Sequence, residues 1–168
     1  MTLIKLLAAV LLLWLLVALF YYLWALTFDL STIGQMPQRS AIYDRNGTFY
    51  SRTVGENRVM VHYNQVSQNF VNALISREDS RFYEHHGVDP LGIVRAAIRN
   101  LLFGGMKQGA STITQQLARN SFPLGGKNFN RKFLEAAMAF RIEMEMSKEQ
   151  ILELYICLLY TSPSPRDS

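Results

Sequence analysis

The stretch "VNALISREDSRFYEHHGVD" (residues 71–89) passes from apolar to densely charged in the middle of a helical pattern. Val71, Leu74, Ile75 and Glu78 fall at i, i+3, i+4 and i+7, which sets a carboxylate on the same helix face as three apolar side chains. The spacing predicts a helix from about residue 66. A carboxylate held against apolar neighbours resists ionisation and can take a proton near neutral pH. Glu78 is therefore a candidate general base, set against the plainer reading of an acid that ends a helix and faces water. Asp79, Arg81 and Glu84 taken alone make a solvated charge cluster. His85 and His86 are adjacent, so they point in different directions and cannot chelate one metal as an i,i+4 pair would; they read as hydrogen-bonding residues in a turn closed by Gly87.

Downstream, the pattern stays helical. Asp89-Pro90 is an acidic cap followed by proline at a first helical position, and the helix it opens is expected to run to about Phe103, where Gly104-Gly105 stops it. "GGMKQGAS" lacks the Gly-Lys-Ser/Thr ending of a nucleotide-binding loop and reads as a mobile basic loop, either one that closes over a lipid-linked substrate or only a connector. Thr112 with Gln115, and Ser147 with Gln150, each make a capping-box pattern for a further helix. Between them a long helix is expected over roughly Asn128 to Met146.

Charge sharpens the reading. Between Asp89 and Glu135 the chain holds Arg95, Arg99, Lys107, Arg119, Lys127, Arg131 and Lys132 and no acid, a local field suited to a polyanion. On a soluble protein nucleic acid would be the first candidate. Residues 6–28, "LLAAVLLLWLLVALFYYLWALTF", argue otherwise, because they carry no charge and suffice to cross a hydrocarbon core of roughly 30 Å as a helix. The length favours an uncleaved signal anchor over a cleaved signal peptide. Lys5 before it and Asp29 after it place the N-terminus in the cytoplasm and the rest outside. A phosphorylated lipid is then the more fitting anion, with attraction to anionic headgroups as the simpler alternative. In "RKFLE", Arg131 and Lys132 lie four and three residues before Glu135, which by itself describes a surface ion pair worth a few tenths of a kcal/mol. A second acid in a basic field, beside a first acid on an apolar face, is what sugar transfer at an anomeric carbon calls for.

Nearer the membrane, residues 29–40 read as a linker, and "AIYDRNGTFYSRT" sets β-prone runs around Asn46-Gly47, a strong hairpin signal. "NRVMVHY" could extend that element. The single cysteine, Cys157, can make no internal disulfide.

Taken together, "EDSRFYEHHG", "GASTITQQLARN", "RKFLE" and "KEQILELYI" resemble, in order and spacing, the first four motifs of the peptidoglycan glycosyltransferase domain (family 51) of class A penicillin-binding proteins and monofunctional transglycosylases. The resemblance covers about residues 41–156. It implies a mainly α, lysozyme-like fold behind a transmembrane helix and a small β element, with the domain on the outer face of the cytoplasmic membrane. It implies polymerisation of lipid II onto a growing glycan chain, with membrane lipids and other cell-wall synthesis and division proteins as partners and no nucleic acid. Glu78 matches the base that deprotonates the acceptor 4-hydroxyl. Glu135 matches a second acid that assists the leaving group or organises a divalent ion, Mg²⁺ or Mn²⁺. Lys127, Arg131 and Lys132 match cations near the donor pyrophosphate, and Ser111, Thr112, Gln115 and Gln116 match cleft-shaping positions. Asp79, Phe82, His85, Gly87, Gly109, Glu153 and Tyr155 match supporting motif positions. A lytic transglycosylase or a non-catalytic wall-binding protein are the alternatives. The expected division is a cytoplasmic stub 1–5, an anchor 6–28, a linker 29–40, a β region 41–65, the glycosyltransferase region 66–156 and a disordered tail from 157. Cys157 stands where the family has asparagine, and "LLYTSPSPRDS" resembles a translated sequencing-adapter tail, so a fragment is expected.

Overall fold

A computed structural model describes residues 2–33, 41–52, 61–103, 110–126 and 128–159. Residues 34–40, 53–60 and 104–109, Lys127 and residues 160–168 lie outside that set. Of the linker expected at 29–40 the described start is instead a 3-10 turn, Leu30–Thr32, with Leu30 and Ile33 buried in the core. Of the strand extension expected at 57–63 the described residues 61–63 are not strand but lead into a 3-10 turn, Tyr63–Gln65.

The protein is mainly helical. Helix α1 spans Thr2–Ala25, and its segment Leu3–Ala25 is long and apolar enough to cross a membrane. Strands β1 (Ala41–Tyr43) and β2 (Phe49–Arg52) pair antiparallel, with a register irregularity between Ile42 and Tyr43. Asp44 closes their turn: its Oδ1 accepts from the amides of Asn46 and Thr48, each at 2.8 Å, and Gly47 supplies the positive φ of 78°.

Helix α2 runs Gln68–Glu78, α3 Pro90–Phe103, α4 Ile113–Ser121, α5 Phe129–Glu145 and α6 Lys148–Leu159. The starts of α4, α5 and α6 follow from local chemistry. Thr112 Oγ1 accepts from the Gln115 amide at 3.2 Å while Gln115 Oε1 accepts from the Thr112 amide at 3.1 Å, the reciprocal cap its sequence suggests. Asn128 Oδ1 caps α5 through the Arg131 amide at 2.8 Å, and Ser147 with Gln150 does the same for α6. Helix α6 continues through Cys157 and Leu158, both buried, to Leu159; the tail expected from 157 is helix there, because these side chains still have core to pack against.

Helix α4 is the centre, packed on both α5 and α6, with Ile113, Leu117 and Ala118 fully enclosed. Val71, Leu74, Ile75 and Phe82 close one side of this core, and Leu134, Met138, Ile142, Ile151 and Leu152 close the other. Gly87 holds the loop before α3 against α5. Its φ is +85°, and a Cβ there would lie 2.6 Å from the Ala139 carbonyl carbon, so no other residue fits without displacing α5.

Candidate active site

Glu78 is the last residue of α2, where the chain leaves the core. Val71, Leu74 and Ile75 turn inward, but the Glu78 side chain is 30% exposed and faces a polar cavity of about 470 Å³. The apolar shelter expected from the helical spacing is therefore absent. Three residues past the third apolar position the helix ends, and the carboxylate swings out at the rim. Gln116 Nε2 donates to its Oε2 at 3.2 Å, and the exposed Arg77 guanidinium lies 3.5 Å from its Oε1. Tyr155 fixes the amide: its hydroxyl donates to Gln116 Oε1 at 3.0 Å, which leaves Nε2 to face Glu78. Burial first, and then the nearby Glu78 carboxylate, push the Tyr155 phenol up to about 12, so it stays a donor.

Asp79, by contrast, is buried. Its carboxylate takes His85 Nε2 at 3.0 Å and the Ile113 amide at 3.1 Å, joining the loop after α2 to the first turn of α4. Thr112 Oγ1 donates to the Gly87 carbonyl at 2.6 Å and ties the same two elements again. Phe82 is a fully buried core ring.

Glu135 lies on α5 with 0% of its side chain exposed, 3.2 Å from Arg131 Nε and 2.8 Å from Lys132 Nζ. The pair expected at the surface is thus an enclosed cluster. Lys132 reaches outward as well, donating to Ser111 Oγ at 2.7 Å, and Ser111 lines the cavity that holds Glu78. One cavity therefore joins a half-exposed acid to a cation backed by a buried acid.

Of the expected cleft formers, Ser111, Thr112 and Gln116 line the cavity. Gln115 does not; its amide is consumed in the α4 cap. Glu153 sits away from the cavity, where Oε2 accepts from the Tyr63 amide at 2.7 Å and Oε1 meets His62 at 3.3 Å, holding the segment that leads into α2. Lys127 and Gly109 fall outside the described residues.

Other residues escaped the site reading. Arg119 and Arg95, read in the sequence as part of the basic field but given no place at the site, line the cavity with Arg77, and Arg119 stands half-buried three residues after Gln116 on the same face of α4. Lys148 stands at the first position of α6, the end of a helix that disfavours a cation. It is held there by Glu143 at 2.7 Å, by the His85 carbonyl at 2.8 Å and by the Phe82 ring at 4.2 Å. Glu143 also accepts from Thr114 at 2.6 Å, so Lys148 joins the site's loop, α4, α5 and α6.

For a divalent cation the donor set does not fit. Each Glu135 oxygen already faces a cation, and among the described residues no three His, Cys, Asp or Glu side chains converge on one point. No step is routed through a protein-held Mg²⁺ or Mn²⁺.

A helical domain whose cavity sets a carboxylate beside fixed cations suits transfer of a group that leaves as an anion. Comparison with known proteins gives that class its family. The family described as Transglycosylase matches residues 46–164, and the chain belongs to it. Penicillin-binding protein 1A of Escherichia coli (strain K12) is 47% identical over 126 residues, covering 75% of this chain and 15% of that protein. Penicillin-binding protein 1A of Haemophilus influenzae is 44% identical over 131 residues, covering 78% and 15%. Penicillin-binding protein 1F of Bacillus subtilis is 44% identical over 121 residues, covering 72% and 17%. The chain thus spans about one sixth of the length of these relatives, and at family level it carries a peptidoglycan glycosyltransferase domain.

Proposed function

We propose that this domain polymerises lipid II into glycan strands by inverting transfer, with release of undecaprenyl pyrophosphate, at the outer face of a cytoplasmic membrane that α1 crosses once. The observation that carries the reading is the single cavity shared by Glu78 and, through Ser111, by Lys132.

Glu78 takes the proton of the acceptor 4-hydroxyl, and the oxygen attacks the anomeric carbon of the growing chain from the face opposite the phosphate. The bond from that carbon to the pyrophosphate oxygen breaks, and its electron pair stays on the pyrophosphate. Fixed cations lower the barrier by meeting that charge where it gathers. Lys132 and Arg131 are the cations assigned to this role, with Arg119 and Arg95 lining the same space. Glu135 holds Arg131 and Lys132 at their heights and offsets their mutual repulsion. Gln116, oriented by Tyr155, presents Glu78 to the cavity with its other oxygen free of neutral donors.

The test is Glu78→Gln in the membrane-embedded protein supplied with labelled lipid II. Polymer formation should fall by roughly 10²–10⁴-fold, the range of general-base contributions, with lipid II binding retained. Polymer at the unaltered rate would refute the assignment.

A further inference from the structure

Glu78 closes α2, and no further turn of helix holds it. Gln116 orients its carboxylate, but the backbone that carries it depends on the loop from Asp79 to Gly87. That loop is fastened to α4 by the Asp79 carboxylate, which accepts from the Ile113 amide at 3.1 Å, and by the Gly87 carbonyl, which accepts from Thr112 Oγ1 at 2.6 Å. It is fastened to α6 at His85, whose carbonyl accepts from Lys148 Nζ at 2.8 Å. The His85 ring depends on that second anchor. Its Nε2 meets Asp79 at 3.0 Å, while its buried Nδ1 bonds to none of the described residues, so the backbone has to set the direction of the imidazole that grips Asp79.

Packing alone does not account for Lys148. It stands at the first position of α6, where the helix dipole opposes a cation, and only 18% of its side chain is exposed. Every proton of its ammonium is committed. Glu143 takes it at 2.8 Å through Oε1 and 2.7 Å through Oε2, the His85 carbonyl takes it at 2.8 Å, and the Phe82 ring lies 4.2 Å away. Thr114 Oγ1, donating to Glu143 Oε1 at 2.6 Å, fixes the carboxylate from α4. A buried ion pair is a weak source of stability, because apolar side chains of the same volume commonly do as well. What this pair supplies is direction. It fixes one carbonyl of the loop against α4, α5 and α6 together.

We propose that Lys148 is a positioning residue for Glu78: clamped by Glu143, it holds the His85 carbonyl and, through the His85–Asp79 bond, sets where the Glu78 carboxylate stands. The proposal rests on the role given to Glu78 above. Lys148 does not line the cavity, so it acts on the rate of the chemical step and not on affinity for lipid II. A reacting group misplaced by about 1 Å can lose on the order of 10²-fold in rate.

The test compares Lys148→Met and Glu143→Gln, each alone and combined with Glu78→Gln, in the membrane-embedded protein with labelled lipid II and rates expressed per folded molecule. Lys148→Met keeps the stem over the Phe82 ring and removes the ammonium. It should lower kcat by roughly 10- to 100-fold and leave KM for lipid II within about twofold. Glu143→Gln keeps an oxygen for Lys148 and should lower kcat by roughly 3- to 10-fold, again at constant KM; it decides the question if Lys148→Met fails to fold. Combined with Glu78→Gln, either change should lower the residual rate by less than about twofold, because groups that act as a unit are not additive. An unchanged kcat in the single variants, a loss expressed in KM, or full multiplication of the losses in the combined variants would each overturn the proposal. Failure of the base assignment looks different: Glu78→Gln alone then makes polymer at the parental rate, and the positioning role falls with it.

Discussion

Glu78 lines the cavity, Glu135 lies behind the Lys132 that reaches the cavity-lining Ser111, and the two acids live in opposite surroundings. Glu78 ends a helix, is 30% exposed, and takes its one neutral hydrogen bond from an amide. Glu135 sits mid-helix, is 0% exposed, and is gripped by Arg131 and Lys132. An acid that must accept and release a proton needs an open face and a partner that yields. One that must stay charged needs enclosure and fixed counter-charges. Under the proposed reaction the two environments divide the labour: Glu78 would take the proton, and Glu135 holds cations.

The comparison breaks most visibly through stability. Glu135→Leu leaves Arg131 and Lys132 without their buried counter-ion and should cost about 3–5 kcal/mol, read by denaturant unfolding in detergent. Glu78→Leu, at a half-exposed rim, should stay within about 0.5 kcal/mol of the parent. Comparable losses in both would erase the distinction. Next in size, Gln116→Ala removes the donor that orients Glu78, worth roughly 0.5–1.5 kcal/mol; polymer synthesis should drop up to about tenfold while unfolding changes little. Thr112→Ala removes a helix cap and should lower stability by about 1 kcal/mol, read by the same denaturant unfolding.

The smallest effect is at high pH. The Tyr155 phenol is raised from 10.0 to about 12, so the folded state holds its proton more tightly than the unfolded chain does. That contribution is complete below about pH 10 and is lost as pH rises toward 12. Tyr155→Phe should therefore show a shallower alkaline loss of stability than the parent, measured by unfolding between those limits.

Much of the frame could be read along the chain because it is made of near neighbours. Thr112 with Gln115, Ser147 with Gln150, Asp89-Pro90 and Asn46-Gly47 are short-range devices, and each stands where its chemistry placed it. The order of acids and cations, with the motif resemblance, likewise pointed to residues that one cavity brings together: Glu78, Ser111, Thr112 and Gln116 line it, and Lys132 reaches Ser111. What escaped was set by long-range packing. Arg141 binds carbonyls 116 and 113 residues away, and Lys148 binds one 63 residues away, and no periodicity reports such partners. The Glu78 environment was misjudged for a related reason. Helical spacing gives the face of a residue as long as the helix continues, and α2 stops at that residue. Glu135 was undervalued because an i,i+4 pair looks the same in sequence whether water or a neighbouring helix covers it.

The most direct test of the division of labour is chemical rescue. Glu78→Ala and Glu135→Ala are each assayed for glycan synthesis with and without added formate. A small carboxylate can enter the open cavity that Glu78 vacates, so formate should restore part of the lost rate in Glu78→Ala and none in Glu135→Ala, whose site is enclosed. Rescue of Glu135→Ala alone would contradict the account, because it would make the buried acid the one that handles the proton.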